Sequence, residues 1–214
     1  MVCNSRREVG SELTPIIYVV DDDASVRKSL ERLITSMDFH VEIFTSAQEF
    51  LRFDRPDRPC CLVLDIRMPG ISGLDLQEEL TVANYTIPII FITGHGDIPM
   101  SVRAMKKGAV DFLTKPFDDQ DLLDAIHKAI EQDKSTKQEQ SEISEIQKCV
   151  DSLTSREREV FALIVTGMLN KQVAYTLKVS EKTVKVHRAR VMQKMHAKSL
   201  AHLVRMADKV GIEK

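Results

Sequence analysis

The period of the apolar positions changes repeatedly along the chain, and the changes divide it in two. Short apolar runs at 16–20, 40–44, 60–64, 88–93 and 110–113 read as five strands. Runs as unbroken as Cys60-Cys61-Leu62-Val63-Leu64 fit strands buried on both faces, as in a parallel sheet. Between them the spacing lengthens to that of helices. Val26, Leu30, Leu33, Ile34 and Met37 predict a helix over 24–37, and Ser46 caps a short one through Phe50 and Leu51. Ser72-Gly73 leads into a third that runs to about residue 82. Pro99 opens a fourth, which Gly108 stops after Lys107. Asp118 starts a fifth, with Leu122, Leu123, Ile126, Ala129 and Ile130 on one face. Strands alternating with helices predict a parallel, doubly wound sheet covered on both sides.

Residues 131–142 contain no apolar side chain, so they read as a solvated helix extension or a flexible tether. Ile143, Ile146 and Val150 then resume helical spacing and begin the next core. Thr154 and Glu157 have the spacing of a capping box, ahead of a helix burying Val160, Phe161, Leu163, Ile164 and Val165 that stops near Gly167. Asn170 starts a short helix with Val173, Ala174 and Leu177 inward. Lys178-Val179 turns the chain, Ser180 caps a third helix over 181–195, and a fourth covers about 199–210. Two short helices joined by a tight turn predict a helix-turn-helix within an all-α, four-helix domain. The organisation expected is an α/β domain over 15–131, a linker over 132–148 and the helical domain over 149–214.

On the third of these helices Val184, Val191 and Met195 form the inward stripe. Lys182, Thr183, Lys185, Val186, Arg190 and Lys194 are left outward, a mixture suited to a major groove: cations for phosphates and guanine edges, a valine for a thymine methyl.

The 214 residues leave room for one large or two small domains, and 43% hydrophobic with 29% charged residues is ordinary for a water-soluble chain. No apolar run approaches the ~20 residues needed to span a bilayer. The Arg6-Arg7 pair is not followed by a hydrophobic stretch, so no secretory signal is expected and the cytoplasm is the expected compartment. Cys3, Cys60, Cys61 and Cys149 lack metal-site spacing and are expected as reduced thiols. The net charge of −2 conceals an asymmetry: from Asp151 onward thirteen Lys and Arg face six Asp and Glu, a net of +7 against −9 for the rest. A basic module joined to an acidic one points to a polyanion partner for the former.

Asp21, Asp22, Asp65, Thr93 and Lys115 fall at the C-terminal ends of the first, third, fourth and fifth strands. In a parallel sheet those ends share one edge, where open α/β sheets bind ligands. Asp65 alone could merely cap the turn at Pro69-Gly70; the convergence argues for chemistry. Crowded carboxylates repel one another unless a cation neutralises them, and a hard divalent ion fits best: Mg2+, with Mn2+ as a substitute. Lys115 and Thr93 suit a phosphoryl group, and Asp65 the nucleophile that attacks it.

Val20-Asp21-Asp22, Leu64-Asp65-Ile66-Arg67-Met68-Pro69-Gly70, Ile92-Thr93-Gly94-His95-Gly96 and Lys115-Pro116-Phe117, in this order, resemble the signatures of the response-regulator receiver domain. The stretch 153–210 resembles the LuxR-type helix-turn-helix of the FixJ/NarL subfamily, through Leu153-Thr154-Ser155-Arg156-Glu157, Asn170-Lys171-Gln172-Val173-Ala174 and Ser180-Glu181-Lys182-Thr183-Val184-Lys185-Val186-His187. The resemblance implies that Asp65 accepts a phosphoryl group from a sensor histidine kinase. It implies that Asp22, Asp65 and the backbone carbonyl of Arg67 ligate Mg2+, with Asp21 acting through water. Phe112 takes the family's aromatic switch position, and Arg67 and His95 tune the lifetime of the phosphoaspartate. Lys171 and His187 are implied phosphate contacts beside the third-helix residues. The implied protein is a transcription factor that pairs on phosphorylation and binds promoter DNA and RNA polymerase. It is a phosphoacceptor that takes part in its own phosphorylation and dephosphorylation, not a turnover enzyme.

Two other readings compete. A phosphatase passing through an aspartyl phosphate usually has a second aspartate two residues after the nucleophile, where Arg67 stands. A DNA-binding protein with the receiver as a bare scaffold would not need the full set of site residues.

Overall fold

The computed structural model describes residues 14–94 and 98–212. They form two compact units that divide after Lys137. In the first, β1 (Ile16–Val20), β2 (His40–Phe44), β3 (Cys60–Asp65), β4 (Ile89–Thr93) and β5 (Asp111–Thr114) make a parallel sheet ordered β2-β1-β3-β4-β5. β1, β3 and β4 are buried along their whole length, which is why their sequences are unbroken apolar runs. Alternate residues feed two cores. Tyr18, Leu62, Leu64 and Phe91 pack with Phe44 and Phe50 on one face. Ile17, Val19, Val63 and Ile92 pack with Leu30, Ile34, Leu122 and Ile126 on the other.

The covering helices are α1 (Ala24–Thr35), α2 (Ala47–Arg52), α3 (Gly73–Val82), α4 (Ile98–Lys106) and α5 (Asp119–Asp151). Asp23, Ser46 and Ser72 each accept a backbone N–H at the starts of α1, α2 and α3. α1 stops at Thr35, so Met37, expected on its apolar face, lies beyond the helix and is exposed. Cys60 and Cys61 are buried free thiols, and Cys149 is free and half-buried; Cys3 lies outside the described residues.

Of the two readings of the expected linker, the structure takes the helix extension, but one that is not wholly solvated. α5 runs unbroken through residues 132–148, and its polar side chains are not all solvated. Asp133, only 1% exposed, accepts the Cys60 N–H at 2.8 Å and pairs with Lys137 Nζ at 2.7 Å. Lys137 also donates to the Arg58 carbonyl at 2.6 Å. The reason lies in strand register. Leu62 N–H bonds to the Pro88 carbonyl just ahead of β4, whereas Cys60, two residues earlier, sits beyond the reach of that strand. A carboxylate from α5 supplies the missing acceptor.

In the second unit Ile146 and Val150 enter the core, as their spacing predicts, with Val160, Phe161, Val173, Val184, Val191, Met195 and Leu203. Its helices are α6 (Ser155–Val165), α7 (Asn170–Leu177), α8 (Glu181–Lys194) and α9 (Leu200–Lys209). Gly167 closes α6 at φ +89° and Lys178 closes α7 at φ +53°, both left-handed conformations that end a helix sharply.

The capping box at Thr154 and Glu157 is formed in both directions. Glu157 is buried and also accepts from Lys194 Nζ at 2.7 Å. The Lys194 hydrogen bond, with those from Thr154, pulls its carboxyl from 4.5 down to about 2. A carboxyl depressed in the fold stabilises it fully above the unfolded value and progressively less as pH falls toward the folded one. The second unit is therefore expected to lose stability between about pH 4.5 and 2. Glu157→Gln should flatten that part of an acid titration followed by circular dichroism; superimposable curves would show that the pair contributes nothing.

Candidate functional site

The strand ends meet as the sequence predicts. Asp21 follows β1 directly, Asp65 ends β3, Thr93 ends β4 and Lys115 follows β5. Register locks them together: Asp65 pairs with Ile92, and the Lys115 N–H bonds to the Thr93 carbonyl at 2.7 Å. At the centre, Lys115 Nζ bridges two carboxylates, reaching Asp21 Oδ2 at 2.6 Å and Asp65 Oδ1 at 3.1 Å. Asp21 is further fixed by the Asp23 N–H at 2.8 Å, and Arg27 bonds to its carbonyl at 2.7 Å. Thr93 is fully buried and Asp22 is exposed at the rim.

The loop after Asp65 is held by a close approach that sequence reading passes over. A Cβ on Gly73 would lie 2.3 Å from the Asp65 carbonyl oxygen, and the Gly73 N–H bonds to the Ile66 carbonyl at 3.0 Å. Only glycine lets α3 start this close to the end of β3. The Arg67 side chain is exposed, while Phe112 is half-buried against the Tyr18 face of the core. His95 lies outside the described residues.

Electrostatics at this edge are unbalanced. Burial raises the Asp65 carboxyl above its usual range; Lys115 pulls it back, and Asp21 and Asp22 push it up again. Burial would lower the Lys115 ammonium, but its bonds to Asp21 and its attraction to Asp65 outweigh this and hold it above its usual value. Three carboxylates against one ammonium leave an excess negative charge at a partly desolvated edge, which suits a hard divalent cation. Among the described residues no three His, Cys, Asp or Glu side chains form a ready-made metal cage. The predicted set does not require one, since it takes two carboxylates directly and adds the Arg67 carbonyl and water. The donors present thus fit Mg2+ in chemical type.

The second unit presents α8. Lys182, Lys185, Val186 and Arg190 are exposed, Val186 at 46%, while Val184, Val191 and Met195 are fully buried. Lys185 pairs with Glu181 at 3.3 Å, and the half-buried Thr183 hydroxyl bonds to Ser180 Oγ at 2.8 Å. Two residues behave otherwise than spacing suggests. Lys194 is not part of the free outward face: it is committed to Glu157 and to the Ser152 carbonyl. His187 is half-buried, with Nδ1 enclosed and unpartnered, so the whole ring is not offered to solvent. Lys171, at the start of α7, is exposed. Sequence reading missed Arg188, which donates to Asn170 Oδ1 at 3.0 Å and ties α8 to the first turn of α7.

Comparison with known proteins places both units. The family model described as response regulator receiver domain matches residues 17–127. That described as bacterial regulatory proteins, luxR family, matches 151–207. Nodulation protein W of Bradyrhizobium diazoefficiens is 53% identical over 197 residues, covering 92% of this chain and 87% of that protein. The transcriptional regulatory protein FixJ of Rhizobium meliloti is 47% identical, covering 89% and 94%. Among solved structures, that of the response regulator StyR superposes with a TM-score of 0.82 at 49% identity, covering 92% of this chain and all of that one. No helix among the described residues is long and apolar enough to cross a membrane.

Proposed function

The chain belongs to the two-component response regulators with a LuxR-type DNA-binding domain, a family of transcription regulators, and from that premise we propose that Mg2+-dependent phosphorylation of Asp65 by a sensor histidine kinase in the cytoplasm controls its binding to promoter DNA. The observation that carries the proposal is Lys115 Nζ held between Asp65 and Asp21 at the C-terminal edge of the sheet. Asp65 attacks the phosphorus of the donor's phosphoimidazole; the new O–P bond forms as the N–P bond breaks and the imidazole leaves. Lys115, already against Asp65 Oδ1, shifts to the incoming phosphoryl oxygens, and the Thr93 hydroxyl donates to another. Asp22, Asp65 and the Arg67 carbonyl would hold Mg2+, with Asp21 acting through water; bound there, the ion would shield the carboxylates and offset negative charge on the phosphoryl group. An apolar groove of about 260 Å3, lined by Val26, Leu30, Leu33, Pro116 and Phe117, opens beside Lys115 and suits the kinase helix that delivers the phosphate.

Readout follows from the added charge, about two negative units. Thr93 moves toward it and the half-buried Phe112 turns into the space released. The surface of α4, β5 and the start of α5 changes with them. Ile98, Val102 and Met105 are exposed along α4, an apolar strip suited to pairing with a second copy. A dimer presents two copies of α8 to two half-sites and so binds far more tightly than one. Lys171, Lys182, Lys185, His187 and Arg190 contact phosphates and base edges, Thr183 adds a hydroxyl, and Val186 meets a thymine methyl. The DNA-bound dimer then engages RNA polymerase. Sedimentation with acetyl phosphate and Mg2+ is expected to show the mass doubling at micromolar concentration, with DNA affinity rising at least tenfold, about 1.4 kcal/mol. Unchanged mass together with unchanged affinity would overturn the proposal.

A further inference from the structure

A cavity of about 330 Å3 opens at the edge of the sheet opposite Asp65, beside the start of β4. Its walls come from α3, that strand start, the residues that close α4 and the middle of α5. Gln77 of α3 lines it and is only 3% exposed. The amide nitrogen of Gln77 is spent on two backbone carbonyls, those of Ala104 at 3.5 Å and Lys107 at 3.3 Å. Its Oε1 is enclosed and meets no donor. A buried carbonyl left unpaired carries the whole cost of its desolvation, so this atom is an acceptor that lacks a donor. Both bonds from the nitrogen are long, and the last torsion of a glutamine is soft. A small turn of the amide therefore brings Oε1 to a donor that enters the cavity.

Charge at the walls is already balanced. Lys107 pairs with Glu78, and Asp133 pairs with Lys137 at 2.7 Å. The described lining therefore offers neither a spare cation for an anion nor a spare carboxylate for an amine. What remains is apolar surface from Leu80, Ile87 and Pro88 with the uncharged hydrogen-bonding groups of Asn84, Gln132 and Thr136. The volume is at the small end of the range for sites that enclose a small molecule. We propose that this cavity binds an uncharged nitrogen heterocycle of the nucleobase or nucleoside class. A ring N–H donates to Gln77 Oε1, and the flat face lies against Leu80, Ile87 and Pro88. A sugar fits less well: hydroxyls surround its ring, and those turned toward the apolar wall would find no partner. The site lies apart from the Lys115 edge, so the inference stands whether or not Asp65 accepts a phosphoryl group.

An amide chemical-shift titration of the isotope-labelled full chain, without Mg2+, tests this with adenosine, inosine, uridine and cytidine. At least one should bind with a dissociation constant between about 10 μM and 1 mM. The shifts should fall on Gln77, Ile87 and Thr136 and leave Asp65 and Lys115 unmoved. Gln77→Leu should weaken binding about tenfold, because the heterocycle loses its acceptor. Thr136→Phe, whose added ring takes up the space, should abolish binding and serves if the Gln77 variant does not fold. The bound nucleoside should also raise the melting temperature of the parent by several degrees and leave that of Thr136→Phe unchanged. Absence of binding by all four nucleosides overturns the inference, as does parental affinity in either folded variant. Shifts centred on the Asp65 edge also overturn it. Larger shifts of the same amides with glucose or with inorganic phosphate would do so too, assigning the cavity to a polyol or to an anion.

Discussion

Asp65→Asn is expected to abolish labelling of the chain by acetyl phosphate and, with it, any phosphorylation-dependent change in mass or DNA affinity. The substitution keeps the size of the side chain and an oxygen for Lys115 to reach, but an amide is not a nucleophile toward phosphorus. A second readout separates this from misfolding. The Asp65 carboxyl is raised by burial and by Asp21 and Asp22 despite Lys115. A raised carboxyl favours the fold less once pH exceeds its unfolded value, so the ionised aspartate costs stability at neutral pH. Without Mg2+, Asp65→Asn should therefore melt at or above the parent's temperature while accepting no phosphate. Uptake of label by the variant with parental stoichiometry would move the phosphoacceptor to another residue. The parent should take up one phosphoryl group per chain; continued turnover of phosphomonoesters would instead favour a phosphatase.

Strands, strand ends and caps were legible because each rests on local chemistry, whereas the strand order was not read from the sequence. An unbroken apolar run can only be a doubly covered strand here, and Asp65 ends such a run, whereas Lys115 follows a half-buried strand that carries Asp111. Ser46, Ser72, Thr154 and Ser180 announce helix starts by hydrogen bonds spanning three residues. What stayed illegible depends on contacts far apart in sequence. Asp133 reads as one polar residue among twelve until Cys60 supplies an N–H from 73 positions away. Lys194 has the spacing of an outward residue, and only the fold brings Glu157 to it. The i, i+4 pair of Asp133 and Lys137 was the available signal for the first, a helix-stabilising spacing in a stretch that composition leaves open between a helix extension and a flexible tether.

Lys137→Met is expected to destabilise the first unit by about 3 kcal/mol, enough to lower its melting temperature by roughly 10 °C. The lysine is replaced by a side chain of similar length, so packing along α5 survives while Asp133 is left as an enclosed charge without a counterion. Asp133→Asn in the same chain should restore most of the loss, because the amide is neutral yet its carbonyl oxygen still accepts from Cys60 N–H. Asp133→Leu with Lys137→Met should restore less. It removes the charge but leaves the Cys60 N–H buried and unpaired, a penalty of about 1–3 kcal/mol. The ranking of the two double variants thus distinguishes a charge problem from a hydrogen-bond problem. Thermal melts of the full chain read it directly, followed by tyrosine fluorescence in a Tyr175→Phe background so that only Tyr18 and Tyr85, both in the first unit, report. Equal recovery by both would mean that the Cys60 bond contributes nothing, and an unaffected Lys137→Met would mean that α5 does not need this ion pair to stay docked on the start of β3.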